Sequence, residues 1–238
     1  MSDVLHTPMD ADGFRPRGTH GSRIDAFSDV VFGFALALLV VSQQVPKTYS
    51  ELHAMLKGFI PFALCFGAFM IIWLKHYRFF RRFGLYNTTT IWINAALLFV
   101  ILFYVYPLKF LYTLALNGGQ GNIFSNHTQV RELIVLYGVG VCSLNVLIAL
   151  LNYQGWRHRQ ALLLTELEEM LTRSYIIEAC VTAGIGLLSC GIAWALPLDH
   201  SGEAAWTYLL MVAQRPVHAL LVRRRARRLW AAHHVSTA

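Results

Sequence analysis

A charged and polar cluster, Arg23, Asp25, Ser28 and Asp29, opens into an uncharged apolar run over 30–41, and Pro46 stops it. The stretch 26–45 is about 20 residues, or roughly 30 Å of helix, enough to cross a bilayer core. At 100° per residue, Phe27, Val30, Leu38, Val41 and Val45 fall within about 40° of Phe34 and form one large apolar stripe. Gly33, Ala35 and Ala37 lie beside it and are small enough for a neighbouring helix to approach closely. Periodicity leaves three surroundings open for this stripe: lipid, a helix interface, or the axis of an oligomer.

Five further apolar runs follow. The second covers 52–73, continues as helix to about residue 80, and ends in the basic aromatic tract WLKHYRFFRRF. The third covers 90–116 and contains Pro107, which removes a backbone donor and favours a kink. A Gly- and Asn-rich loop spans 117–129. The fourth run, 132–153, carries Gly138, Gly140 and Ser143 as small packing surfaces. The segment 154–173 mixes Arg157, His158 and Arg159 with Glu166, Glu168 and Glu169, which predicts a short surface helix or loop. The fifth run is 174–196. The sixth, 204–222, is interrupted by Gln214, Arg215, Pro216 and His218, so it reads as a span or as an interfacial helix.

Composition agrees with a membrane protein. Of 238 residues, 56% are hydrophobic and only 14% charged, against about 25% charged in soluble domains. The net charge of +7 does not point to nucleic acid, because the basic residues gather between spans and at the C-terminus, as the positive-inside bias arranges them. Counting them by side predicts six transmembrane helices with both termini cytoplasmic. The expected organisation is a flexible cytoplasmic tail over 1–22, a six-helix domain over 23–222 and a basic cytoplasmic tail over 223–238. Within that tail, Arg223, Arg224, Arg225, Arg227 and Arg228 are placed to hold the anionic inner leaflet. Cys65, Cys142, Cys180 and Cys190 all fall within spans and read as reduced, buried thiols.

Catalysis is not indicated. His158, His200, His218, His233 and His234 form no metal-ligand pattern and no acid–base pair with carboxylates, so no catalytic residue, metal site or cofactor is expected. Carboxylates inside the spans are sparse, Asp29 and Glu178, both near the inner ends. That sparseness disfavours a proton- or solute-coupled carrier and permits a passive pore with a hydrophobic constriction; a non-conducting scaffold is the third class. Asp29 lies about 140° from Phe34 around the helix, and Trp73, His76 and Asn94 lie at matching depth. Arg23, Ser28, Asp29, Trp73, His76 and Asn94 therefore form either one network fixing helix 1 against the second and third spans, or a set of separate headgroup contacts.

Three motifs in order carry a family resemblance. They are R-x-x-x-F-S-D (Arg23, Phe27, Ser28, Asp29), W-L-x-H (Trp73, Leu74, His76) and W-x-N (Trp92, Asn94). With the six-span plan, this resembles the prokaryotic transmembrane protein 175 potassium channels over about 23–222. The resemblance implies a homotetrameric, all-α cation channel of a bacterial plasma membrane, conducting K+ and open to Na+ or H+, without a carbonyl filter. It implies that helix 1 lines the pore and that Phe34, Leu38 and Val41, at positions five, nine and twelve after the motif aspartate, form the constriction. The selectivity-related eighth position, often threonine in the family, is Ala37 here, which leaves the ion preference open. Phe34 is larger than the usual isoleucine or leucine, and four such rings either close the path or offer ring faces to a cation. A histidine pair common at the end of the second span is His76-Tyr77 here.

Overall fold

The computed structural model describes residues 9–10, 12–18, 21–42, 45–116, 124, 126–214, 216–220 and 222. Among them the protein is all helical. The order is α1 (Arg23–Val41), α2 (Tyr49–Lys57), α3 (Phe59–Phe83), α4 (Thr88–Leu116), α5 (His127–Arg157), α6 (Glu166–Ala195) and a 3-10 helix (Leu198–Tyr208). By length and composition, α1 and α3 to α6 are able to cross a membrane. The chain is a multi-pass membrane protein.

Local chemistry sets the ends of these helices and moves several predicted boundaries. Helix α1 starts before residue 26 because Ser22 and Asp25 form a reciprocal cap, each side chain accepting from the other's backbone N–H at 3.1 Å. The single second span splits at Gly58 into α2 and α3. The short α2 is too polar for the apolar layer, with Glu51 in its first turn and Lys57 in its last. Gly84, in the left-handed region at φ 55°, closes α3 by donating to the Phe80 carbonyl at 2.8 Å.

The segment 154–173 is not a separate surface element. Helix α5 runs on to Arg157, and Thr165 with Glu168 caps α6, which begins at Glu166 instead of residue 174. The sixth apolar run also opens differently. Leu198–Tyr208 winds as a 3-10 helix, with Ser201 and Thr207 hydroxyls donating three residues back to the Leu198 and Ala204 carbonyls at 2.8 and 2.7 Å. Only from 209 does it become α-helical, over 209–214 and 216–220. Its polar interruptions hold it to α6: Gln214 donates to the Glu178 carbonyl at 2.8 Å, and His218 Nε2 donates to the Ser174 carbonyl at 3.0 Å.

Helices α5 and α6 pack most closely. A Cβ on Gly138 would lie 2.7 Å from the Gly186 carbonyl, and one on Gly186 would lie 2.7 Å from the Gly138 carbonyl. The backbones meet only because both residues lack side chains. Gly140 has a different tenant, the Tyr104 ring of α4.

The expected free tail over 1–22 is packed in its described part. Phe14 is fully buried, edge-on to Phe83 with ring centroids 5.9 Å apart. Arg17 N and Gly18 N both donate to the Arg81 carbonyl at 3.0 Å, satisfying the open end of α3. Arg17 pairs in bidentate fashion with fully buried Glu168, at 2.9 Å on each oxygen. Arg81 and Arg82 pair with Asp10 and Asp12 at 2.8 and 2.9 Å. Part of the basic charge behind the positive-inside count is thus neutralised within the protein.

Candidate functional site

Helix α1 has two unlike faces. Ser28, Phe32, Ala35 and Leu39, at helical spacing, are buried against α3 and α4. The other face carries the stripe. Phe27, Val30, Phe34 and Val41 are 60, 69, 56 and 76% exposed. Gly33 and Ala37 are exposed beside them, and Leu38 is half-buried, packed on the core edge. Val45 is exposed but lies beyond the end of the helix. The stripe therefore points away from the helices that α1 packs against.

Hydrogen bonds fix the buried face. Ser28 Oγ donates to the Ile24 carbonyl at 2.8 Å and accepts from Asn94 Nδ2 at 2.9 Å. Asn94 Oδ1 then meets His76 Nε2 at 2.8 Å. An amide oxygen only accepts, so the His76 proton sits on Nε2. All three groups are buried, and the imidazole makes tilted contacts with the Phe32 and Phe80 rings, whose centroids lie 5.4 and 4.8 Å away. A second, exposed bond runs alongside: Trp73 Nε1 donates to Asp29 Oδ1 at 2.8 Å, while Tyr77 stacks on Trp73.

Five of the six residues singled out for anchoring thus come together, as two hydrogen-bonded groups instead of one. Arg23 does not join. It is exposed, and its side chain makes no hydrogen bond or ion pair with the described residues.

Two anchors escaped sequence reasoning. At the N-terminal end of α1, Tyr86 OH donates to Asp25 Oδ2 at 2.9 Å. Burial, and then Asp25 itself, raise the Tyr86 phenol above its ordinary pKa, so it stays a donor. The Ser22-x-x-Asp25 spacing was the available signal for that cap. At the other end, Lys109 of α4 donates to Ser42 Oγ at 2.6 Å, a cation beside the negative end of the α1 dipole. A lone lysine in an apolar run was its only signal.

The remaining candidates divide. Cys65 is buried, Cys142 and Cys190 are half-buried and Cys180 is exposed, so burial fails for Cys180, on an outer face of α6; all four are free. His218 bonds to Ser174, and exposed His200 pairs with Glu203 at 2.7 Å. His233, His234 and the C-terminal arginines lie outside the described residues. No group of three or more His, Cys, Asp or Glu able to hold a metal occurs among the described residues.

Comparison with known proteins gives this arrangement a context. Residues 23–104, which contain α1, α2, α3 and most of α4, match the family model described as endosomal/lysosomal potassium channel TMEM175. A protein of Marivirga tractuosa named "Potassium channel" is 34% identical over 96% of this chain and 99% of its own length. A potassium channel of Chamaesiphon minutus is 28% identical over 39% of this chain and 49% of its own.

Among solved structures, a threonine-to-alanine variant of the potassium channel MtTMEM175, in complex with a nanobody–MBP fusion, superposes with a TM-score of 0.80. It has 32% identity and covers 92% of this chain and 100% of that one. A homologue, from Chamaesiphon minutus, of the lysosomal potassium-selective channel TMEM175 superposes at a TM-score of 0.54. It has 19% identity over 82% of this chain and 96% of that one, which speaks to the fold alone. The resemblance carried by the three motifs is upheld at the level of the whole chain. The chain belongs to the TMEM175 potassium channel family, a family of passive ion channels and not of enzymes.

Proposed function

We propose that the protein is a potassium-permeable cation channel whose subunits assemble as a homotetramer, with the exposed stripe of α1 lining a central pore. The observation that carries this reading is the division of α1 into one face pinned by buried hydrogen bonds and one apolar face presented outward. A helix held so firmly by one side keeps the other side in register. Phe34, Leu38 and Val41 form the constriction, and Ala37 occupies the selectivity-related position without a hydroxyl. Ions pass by partial dehydration through an apolar neck. The domain over 23–222 supplies six spans in a bacterial plasma membrane, the sixth built from 204–222. Both termini are cytoplasmic, and the arginines from Arg223 to Arg228 hold the inner leaflet. No cofactor takes part; the permeant ion is K+, with Na+ and H+ as competitors.

Ion flux into liposomes tests this. Purified protein is expected to pass K+ faster than Na+, with ohmic single-channel currents. Phe34→Ala, which widens the narrowest ring, is expected to raise K+ conductance several-fold, since each 1.4 kcal/mol removed from a barrier is about tenfold in rate. Saturable uptake coupled to a second gradient would overturn the channel. Unchanged current through a normally assembled Phe34→Ala variant would remove Phe34 from the pore.

A further inference from the structure

Away from α1, an open-sided cavity of about 890 Å³ lies between α3, α4, α5, α6 and the C-terminal helical segment. That size is at the upper end of the range for small-molecule sites. Its body is apolar, with Ala68, Ile101, Leu111, Leu133 and Leu144 among the walls. Gly67 lies on this wall, and a Cβ there would meet nothing within 4 Å. Along α3 the wall runs from Ala63 to Lys75, about 18 Å of helix, slightly more than one leaflet of a ~30 Å hydrocarbon core.

One end is different. Lys75 of α3, Glu178 and Thr182 of α6 and Gln214 converge there. Lys75 Nζ stands 3.5 Å from Glu178 Oε1, long for a charge-assisted hydrogen bond. The ammonium makes no hydrogen bond with the described residues. His218 approaches Glu178 at 3.5 Å from a second, smaller cavity of about 290 Å³. The large cavity is thus an apolar groove, about one leaflet deep along α3, ending in a cation and an anion whose charged groups, among the described residues, meet partners only at ion-pair distances of 3.5 Å.

We propose that this cavity holds one acyl chain of a zwitterionic glycerophospholipid, with its headgroup phosphate on Lys75 and its amine on Glu178. The charge pair sets the headgroup. A phosphatidylglycerol head offers Lys75 the same phosphate but gives Glu178 no cation, whereas a phosphate–amine head answers both. The inference does not rest on the conduction reading, and its readout is lipid retention.

Native mass spectrometry of the delipidated oligomer tests it, with phosphatidylethanolamine and phosphatidylglycerol of matched chains as probes. The wild type should retain one phosphatidylethanolamine per protomer, at least about tenfold tighter than phosphatidylglycerol, the worth of one charged hydrogen bond. Gly67→Trp, which fills the cavity, should lose that lipid while keeping its oligomeric state and melting temperature. Leu133→Trp is a second filling variant should the first not fold. Glu178→Gln, which removes the partner of the amine, should erase the preference between heads, whereas Lys75→Gln should weaken both lipids alike. Equal retention by the filled variants would put the lipid elsewhere, and phosphatidylglycerol binding as tightly as phosphatidylethanolamine would overturn the headgroup assignment. Lipid-independent dissociation of the oligomer by Gly67→Trp would show that a second copy of the chain occupies the cavity.

Discussion

Asn94 shows how much one side chain carries. It is the middle of the Ser28–Asn94–His76 chain and spends both ends of its amide on it. Ser28 has a second partner in the Ile24 carbonyl, so losing Asn94 costs it little. His76 has no such reserve: its buried Nε2–H would be left without an acceptor. Asn94→Leu is therefore expected to destabilise the protein by about 1–3 kcal/mol, the cost of one orphaned buried donor. Thermal unfolding in detergent measures this. Adding His76→Phe should recover part of the loss, because the orphan disappears with the imidazole. Additive losses in the double variant would mean that the two residues do not act through this bond.

At the scale of helices, the α5–α6 crossing depends on an absence of atoms. Gly138 and Gly186 place backbone against backbone, and a carbonyl cannot step aside as a flexible side chain can. Gly138→Leu is expected to cost at least the ~1–3 kcal/mol of an overpacked core. Gly184, two residues from Gly186 and facing open space, provides the control: Gly184→Ala should keep or slightly raise the melting temperature, because alanine is the better helix former. A loss at Gly184 comparable to that at Gly138 would mean that the close backbone contact is not the cause, since helix propensity alone favours both replacements. The same scale explains the split of the second span. Gly58 and the polar sequence of α2 separate two helices that hydropathy alone joins.

Across the whole molecule, the N-terminal segment ties together elements far apart in the chain. Arg17 reaches the α3 end at Arg81 and Arg82, the turn at Leu162, and Glu168 at the start of α6. Its partner carboxylate is fully buried and also accepts from Arg15 N and Thr165 N at 2.8 Å. Arg17→Ala would leave that charge buried without a cation, which typically costs about 3–5 kcal/mol. A drop in melting temperature of that order is the expected result, with partial recovery in Arg17→Lys, which restores the charge but not the bidentate fork. An unchanged melting curve would mean that this segment does not hold the helices together.

Hydropathy by itself placed α1, α4 and the bodies of α3, α5 and α6, because a membrane helix must bury its backbone polar groups within a long apolar run. Helical periodicity also separated the Phe34 stripe from Asp29, and matching depth offered Arg23, Ser28, Asp29, Trp73, His76 and Asn94 as one network or as separate headgroup contacts, a choice the sequence left open. Contacts between distant parts of the chain were decided only by the fold. Nothing local says that Arg17 will meet Glu168, that Tyr86 will reach Asp25, that Lys109 will cap α1 at Ser42, or that Arg23 will be left out. A basic residue looks the same in sequence whether it faces a headgroup or a carboxylate brought from far along the chain. The outward direction of the stripe was likewise a tertiary result, since periodicity finds a face but only packing shows what covers the opposite one.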